Sequence, residues 1–142
     1  MTRSGFTALL AAGIVIPAVP AGAAVRIVTF RDRGCGCCEG WVGAARGAGY
    51  VIEMHDLERP ERLRRYRIPE GSAGCHTSLV SGYVVEGHVP LDVIARLLRE
   101  RPRVRGLALP GMPVGVPGME GARHEPLDVM TLEPRPRVFA RV

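Results

Sequence analysis

Four cysteines are the residues best placed to do chemistry in this chain. Cys35, Cys37 and Cys38 lie within four residues, and Cys75 stands far downstream with His76 beside it. Any bridge among the first three closes a very small loop and constrains the unfolded chain little, which argues against a plain structural framework. The set contains C-x-x-C, Cys35 to Cys38. Between a first strand and a first helix, such a pair meets the unpaired N–H groups and positive dipole end of the helix, which favour thiolate. Disulfide exchange and metal binding both need that form. Soft thiolates suit Cu(I), zinc and iron–sulfur clusters. Zinc wants four ligands on one ion, whereas the side chains of adjacent Cys37 and Cys38 are expected to diverge and to bridge several ions, which favours Cu(I) in a polynuclear thiolate cluster.

Other ligands are candidates by type and place. His76 adjoins Cys75, and Met112 and Met119, in a Pro/Gly-rich stretch, could offer thioethers to Cu(I), although a methionine more often fills a packing gap. His55, His88 and His124 have no positional argument and read as surface or second-strand residues, and Trp41 reads as core. Two other readings of the cysteines stay open. One is a thiol–disulfide oxidoreductase in which Cys35 attacks and Cys38 resolves. The other is a doubly bridged structural domain.

The elements that must position these residues follow from periodicity. Residues 25–30 alternate with β-branched side chains and read as a strand ended by the Gly/Cys cluster. Trp41, Ala44, Ala45 and Ala48 recur at helical spacing over 39–48, against the low helix propensity of Gly40, Gly43 and Gly47. Residues 50–55 read as a second strand, and 60–66 as a short charged helix stopped at Ile68-Pro69. Residues 77–80 and 83–86, joined by Ser81-Gly82, form a hairpin signal. Pro90 opens an amphipathic helix with the stripe Leu91, Ile94, Ala95 and Leu98, and Pro102 closes it. The order β-α-β-α-β-β-α predicts an α/β, thioredoxin-like fold with a central mixed sheet, in which the turn before the third strand brings Cys75 beside the C-x-x-C. Thioredoxins generally carry a cis-proline in that turn, and here Cys75-His76-Thr77 stands in its place. Residues 103–126 show no period and predict a long Pro/Gly-rich C-terminal loop, with residues 128–132 and 137–140 adding edge strands or a loose tail.

Residues 1–24 have the order of a signal peptide: Arg3, an apolar run from Phe6 to Val19, then Ala21-Gly22-Ala23-Ala24. Pro17 and Pro20 interrupt the run, against a membrane anchor, which wants about 20 apolar residues. Residues 25–142 then form one exported domain, with no membrane span after cleavage. The net charge is +5. The runs Arg62, Arg64, Arg65, Arg67 and Arg96, Arg99, Arg101, Arg103, Arg105 read as solvated faces, and no aromatic residues interleave with them as nucleic-acid stacking requires.

Several motifs coincide in order: Cys35-Gly36-Cys37-Cys38, Trp41-Val42, Cys75-His76-Thr77, residues 82–90 (GYVVEGHVP), Gly111-Met112-Pro113-Val114-Gly115 and Pro117-Gly118-Met119-Glu120. Over residues 25–132 the chain resembles the family of predicted metal-binding proteins catalogued as domain of unknown function 411, which includes the CopG-type periplasmic copper-resistance proteins. The resemblance implies a periplasmic protein of thioredoxin-like fold that binds copper through Cys35, Cys37, Cys38 and Cys75, with Met112 and Met119 in a family motif. It also implies a setting among copper-efflux or copper-chaperone partners, and it leaves open whether copper is sequestered or changes oxidation state at the site.

Overall fold

The computed structural model describes residues 22–142; the expected signal peptide lies, apart from its last three residues, outside the described residues. The order is β1 (Arg26–Arg31), α1 (Gly36–Gly47), β2 (Val51–Asp56), α2 (Arg59–Arg65), a 3-10 turn (Glu70–Ser72), β3 (His76–Val80), β4 (Tyr83–Glu86), α3 (Leu91–Glu100), β5 (Gly106–Ala108), β6 (Asp128–Thr131) and β7 (Val138–Arg141). The strands form one mixed sheet in the order β2-β1-β3-β4-β5-β6-β7. The β1–β2 and β4–β5 pairs are parallel and the rest antiparallel. The expected order therefore holds through α3. Ser81 and Gly82, at φ of 47° and 88°, make the tight hairpin turn, because left-handed backbone at both central positions matches the twist of the flanking strands.

Register decides which side chains meet. Directly paired residues of adjacent strands share a face, so Ile27↔Val80, Thr29↔Ser78 and Arg31↔His76 lie on one side, while Phe30↔Thr77 and Thr77↔Glu86 lie on the other. The first side carries the main core, in which Trp41, Val42 and Ala45 of α1 and Val93, Ile94 and Leu97 of α3 pack against Ile27, Val85, Leu107 and Val129. The second side holds a smaller cluster in which Leu63 of α2 packs with Ile68 and Ala73 against Val84. Burial of α1 offsets its four glycines, each costing about 1 kcal/mol of helix propensity against alanine.

Three expectations need correction. The stretch 103–126 is not all loop: β5 sits in it, fully buried between β4 and β6. Three residues are too few to show a period, and a Cβ on Gly106 would meet the Val84 carbonyl oxygen at 1.7 Å, so packing selects the glycine. The α3 stripe is centred on Val93, Ile94 and Leu97, with Leu91 and Leu98 half-buried against the same core as expected and Ala95 exposed. Arg62 is not on a solvated face. It is fully buried under α2, facing Glu86 across the second side of the sheet.

Candidate metal centre

Cys35 caps α1, and Cys37 and Cys38 follow in its first turn. Arg31, at the end of β1, fixes that turn: its guanidinium donates to the Cys35 carbonyl oxygen at 3.3 Å and to Glu39 at 2.7 Å. Cys75 immediately precedes β3, where the two sides of the sheet converge. On one side it meets Cys37, His76 and His88. On the other, the backbone N–H of its neighbour Gly74 donates to Glu86 at 2.9 Å. A side chain at position 74 is ruled out, since its Cβ would lie 2.5 Å from the Gly87 Cα.

The four sulfurs all lie within 4.8 Å of one another. Cys35 and Cys38 are joined by a disulfide, and Cys37 and Cys75 are free thiols. Cys37 Sγ is 3.5 Å from Cys35 Sγ and 3.6 Å from Cys75 Sγ. The divergence expected of adjacent Cys37 and Cys38 does not occur, because the first helical turn and the close approach of Cys75 gather all four.

His88, read from the sequence as a surface or strand residue, is fully buried, with Nε2 2.7 Å from Cys75 Sγ. Its Nδ1 faces the Pro117 carbonyl oxygen at 2.7 Å, so Nδ1 carries the proton and Nε2 presents its lone pair to the thiol. Burial holds the imidazole below its usual range and pushes the Cys75 thiol up to about 12, with the nearby Cys37 sulfur adding to the rise. The resting pair is a neutral thiol donating to a neutral imidazole. A soft ion that displaces the thiol proton would find a ready thiolate and a ready nitrogen.

His76 is also fully buried. Its Nδ1 is 3.5 Å from Cys75 Sγ, its Nε2 has no hydrogen-bond partner among the described residues, and burial, then His88 and Arg62, hold its pKa well below the ordinary value. Trp41 walls the site, its ring 4.8 Å from that of His76 and its Nε1 donating to the Val89 carbonyl oxygen at 3.0 Å. Cys75, His76 and His88 thus form a second donor group sharing one sulfur with the first.

The two methionines part company. Met119 is half-buried against the main core, in a turn closed by its N–H to the Val116 carbonyl and by the Gly115 N–H to its own carbonyl. Met112 is exposed at the mouth of a cavity that Cys75 also lines. His55 is exposed on β2 beside Glu53, and His124 is exposed, both away from the donor groups.

The family model described as protein of unknown function, DUF411, matches residues 72–119. Two solved structures, both of a copper resistance protein CopG, in forms 1 and 2, are 36% identical to this chain. They cover 84% of it, with 98% and 99% of their own lengths matched and TM-scores of 0.76 and 0.75. No curated protein matches.

Proposed function

Because the chain belongs to the DUF411 family that includes copper resistance protein CopG, we propose that it is an exported copper-binding protein serving copper resistance, holding several Cu(I) ions in its cysteine cluster. The observation that carries this reading is the gathering of four sulfurs within 4.8 Å, with a second group of Cys75, His76 and His88 sharing one of them. A shared sulfur is what a bridged, polynuclear site uses, and soft sulfur and imidazole donors suit Cu(I). Four thiolates require reduction of the Cys35–Cys38 bond. We read the frame as thioredoxin-like, supported by the sheet order β2-β1-β3-β4 with β1 parallel to β2 and β3 antiparallel to both neighbours.

We read residues 1–24 as a cleaved leader, 25–142 as the mature periplasmic domain, and efflux or chaperone proteins as its partners in copper exchange. No helix among the described residues is long and apolar enough to cross a membrane. Intact mass of protein recovered from the periplasmic fraction tests the cleavage.

Titrating the reduced chain with Cu(I) is expected to fill more than one ion per chain, with the capacity lost in a Cys37→Ala/Cys75→Ala variant. One tight zinc and no copper would sink the reading. The Cys35–Cys38 disulfide at the start of α1 favours a second reading, a thiol–disulfide oxidoreductase. That reading predicts metal-free reduction of a disulfide substrate, lost in Cys35→Ala and kept in Cys75→Ala.

A further inference from the structure

A cavity of about 340 Å³ opens beside the cysteine cluster, and Cys75 is the one cysteine in its wall. Asp32, Arg59, Gly111 and Met112 line it as well. Cys38, in the first turn of α1, is by contrast fully buried. An ion coming through this cavity therefore meets Cys75 before Cys38.

Met112 is the conspicuous residue at the mouth. Of the methionines among the described residues, Met54, Met119 and Met130 are at least half-buried, and Met112 alone is exposed, at 57%. Its position is nonetheless fixed. The Gly111 N–H donates to the Ala73 carbonyl oxygen at 3.0 Å, tying the residue before Met112 to the segment that leads into Cys75. Gly111 takes a φ of +74°, left-handed backbone that glycine adopts without strain, and Pro113 fixes the backbone on the far side. A thioether on a tethered stretch of backbone, exposed to water beside a cavity that a thiol also lines, has no packing role that explains it. Thioether sulfur is neutral and soft, so it binds Cu(I) weakly and reversibly and takes zinc poorly.

We propose that this cavity is the route by which Cu(I) is loaded, with Met112 as the capture ligand at its mouth and Cys75 as the first acceptor inside. The inference rests on the copper-binding reading above and adds its kinetic pathway. Copper stays Cu(I) throughout. The Met112 sulfur bonds to the ion as the donor's ligand leaves; the Cys75 sulfur then bonds to it, releasing its proton to water, and the thioether lets go. Met112 thus acts in transfer and contributes nothing to the filled cluster.

Stopped-flow transfer of Cu(I) from a coloured Cu(I) chelate to the reduced full-length mature chain tests this. In Met112→Leu, which keeps the apolar bulk, uptake is expected to slow about tenfold, the lower end of what losing one supporting group costs a metal site, while final stoichiometry and affinity stay at the wild-type values. Met112→His, which restores a ligand for Cu(I), is expected to recover the rate. Wild-type uptake in Met112→Leu overturns the proposal, and so does equal slowing in both variants, which would mean the turn's shape matters and not its sulfur. A lowered stoichiometry in Met112→Leu overturns it too, making Met112 a resident ligand. A wild-type chain that takes up no Cu(I) at all overturns the copper-binding reading, and this one with it.

Discussion

Replacing Arg62 by methionine tests how the second side of the sheet holds Cys75 in place. Arg62 and Glu86 are fully buried with N to O at 3.1 Å, and Arg62 also donates to Thr77 Oγ1 at 3.2 Å. Glu86 further accepts from the Gly74 N–H and the Thr77 hydroxyl. Methionine keeps the apolar stem and strands the carboxylate with two neutral donors. Breaking a buried pair in this way costs about 3–5 kcal/mol, a large part of the roughly 5–15 kcal/mol that a domain has in total. Burial already raises the Glu86 carboxyl above its ordinary 4.5, with Thr77, Gly74 and Arg62 pulling it back. Deleting Arg62 removes one of those pulls. A carboxyl whose folded pKa is raised binds its proton more tightly when folded, so its stabilising contribution is full below 4.5 and is lost as pH rises through the folded value. The penalty of Arg62→Met should therefore be largest at about pH 7.5 and much smaller at about pH 5. Adding Glu86→Gln removes the charge but keeps an oxygen for the Gly74 N–H, and should recover about 2 kcal/mol at about pH 7.5. Urea unfolding followed by the fluorescence of the single, buried Trp41 reports each value. A penalty below about 1 kcal/mol at the higher pH, an equal penalty at both, or further loss on adding Glu86→Gln would refute the reasoning.

His88→Ala should weaken Cu(I) binding to the reduced chain by at least about tenfold in a chelator competition, since it removes a nitrogen already aimed at Cys75. Because the Cys75 thiol is raised to about 12 and must lose its proton to bind, Cu(I) affinity should rise by about tenfold or more per pH unit across the neutral range; a flat profile would mean that Cys75 is not a ligand. Gly118→Ala should lower the urea midpoint and cost about 1–3 kcal/mol, because its φ is +81° and its Cβ would lie 2.5 Å from both the Cys37 carbonyl oxygen and the Trp41 nitrogen.

The elements that position the cysteines were legible because they carry local signals. Alternation in β1, the Ser81-Gly82 turn and the prolines around α3 each mark an element within a few residues, and the structure follows them to within a few positions. Cysteine spacing likewise announced a cluster. The parts that were not legible depend on contacts distant in sequence. His88 reaches Cys75 only because β3 and β4 fold back on each other, and the one local sign was its place in the strand-ending segment after Glu86-Gly87, where Gly87 turns the chain at a φ of +76°. Arg62 stands in a run of arginines whose other members face water, and only its pairing with Glu86 across the sheet distinguishes it. The Cys35–Cys38 bond is a matter of oxidation state, which the order of residues does not encode.

The Val116–Met119 turn bears on any attempt to transplant this site. It supplies no cysteine or histidine to the donor groups, yet its Pro117 carbonyl sets the tautomer of His88. Its Gly118 lies so close to the first turns of α1 that a Cβ on Gly40 would come within 2.8 Å of the Gly118 Cα. A peptide spanning Cys35 to Cys38 would carry three of the sulfurs and none of that scaffolding. A graft onto another scaffold would need both this stretch and residues 72–119, so the smallest continuous module runs from Cys35 to Met119.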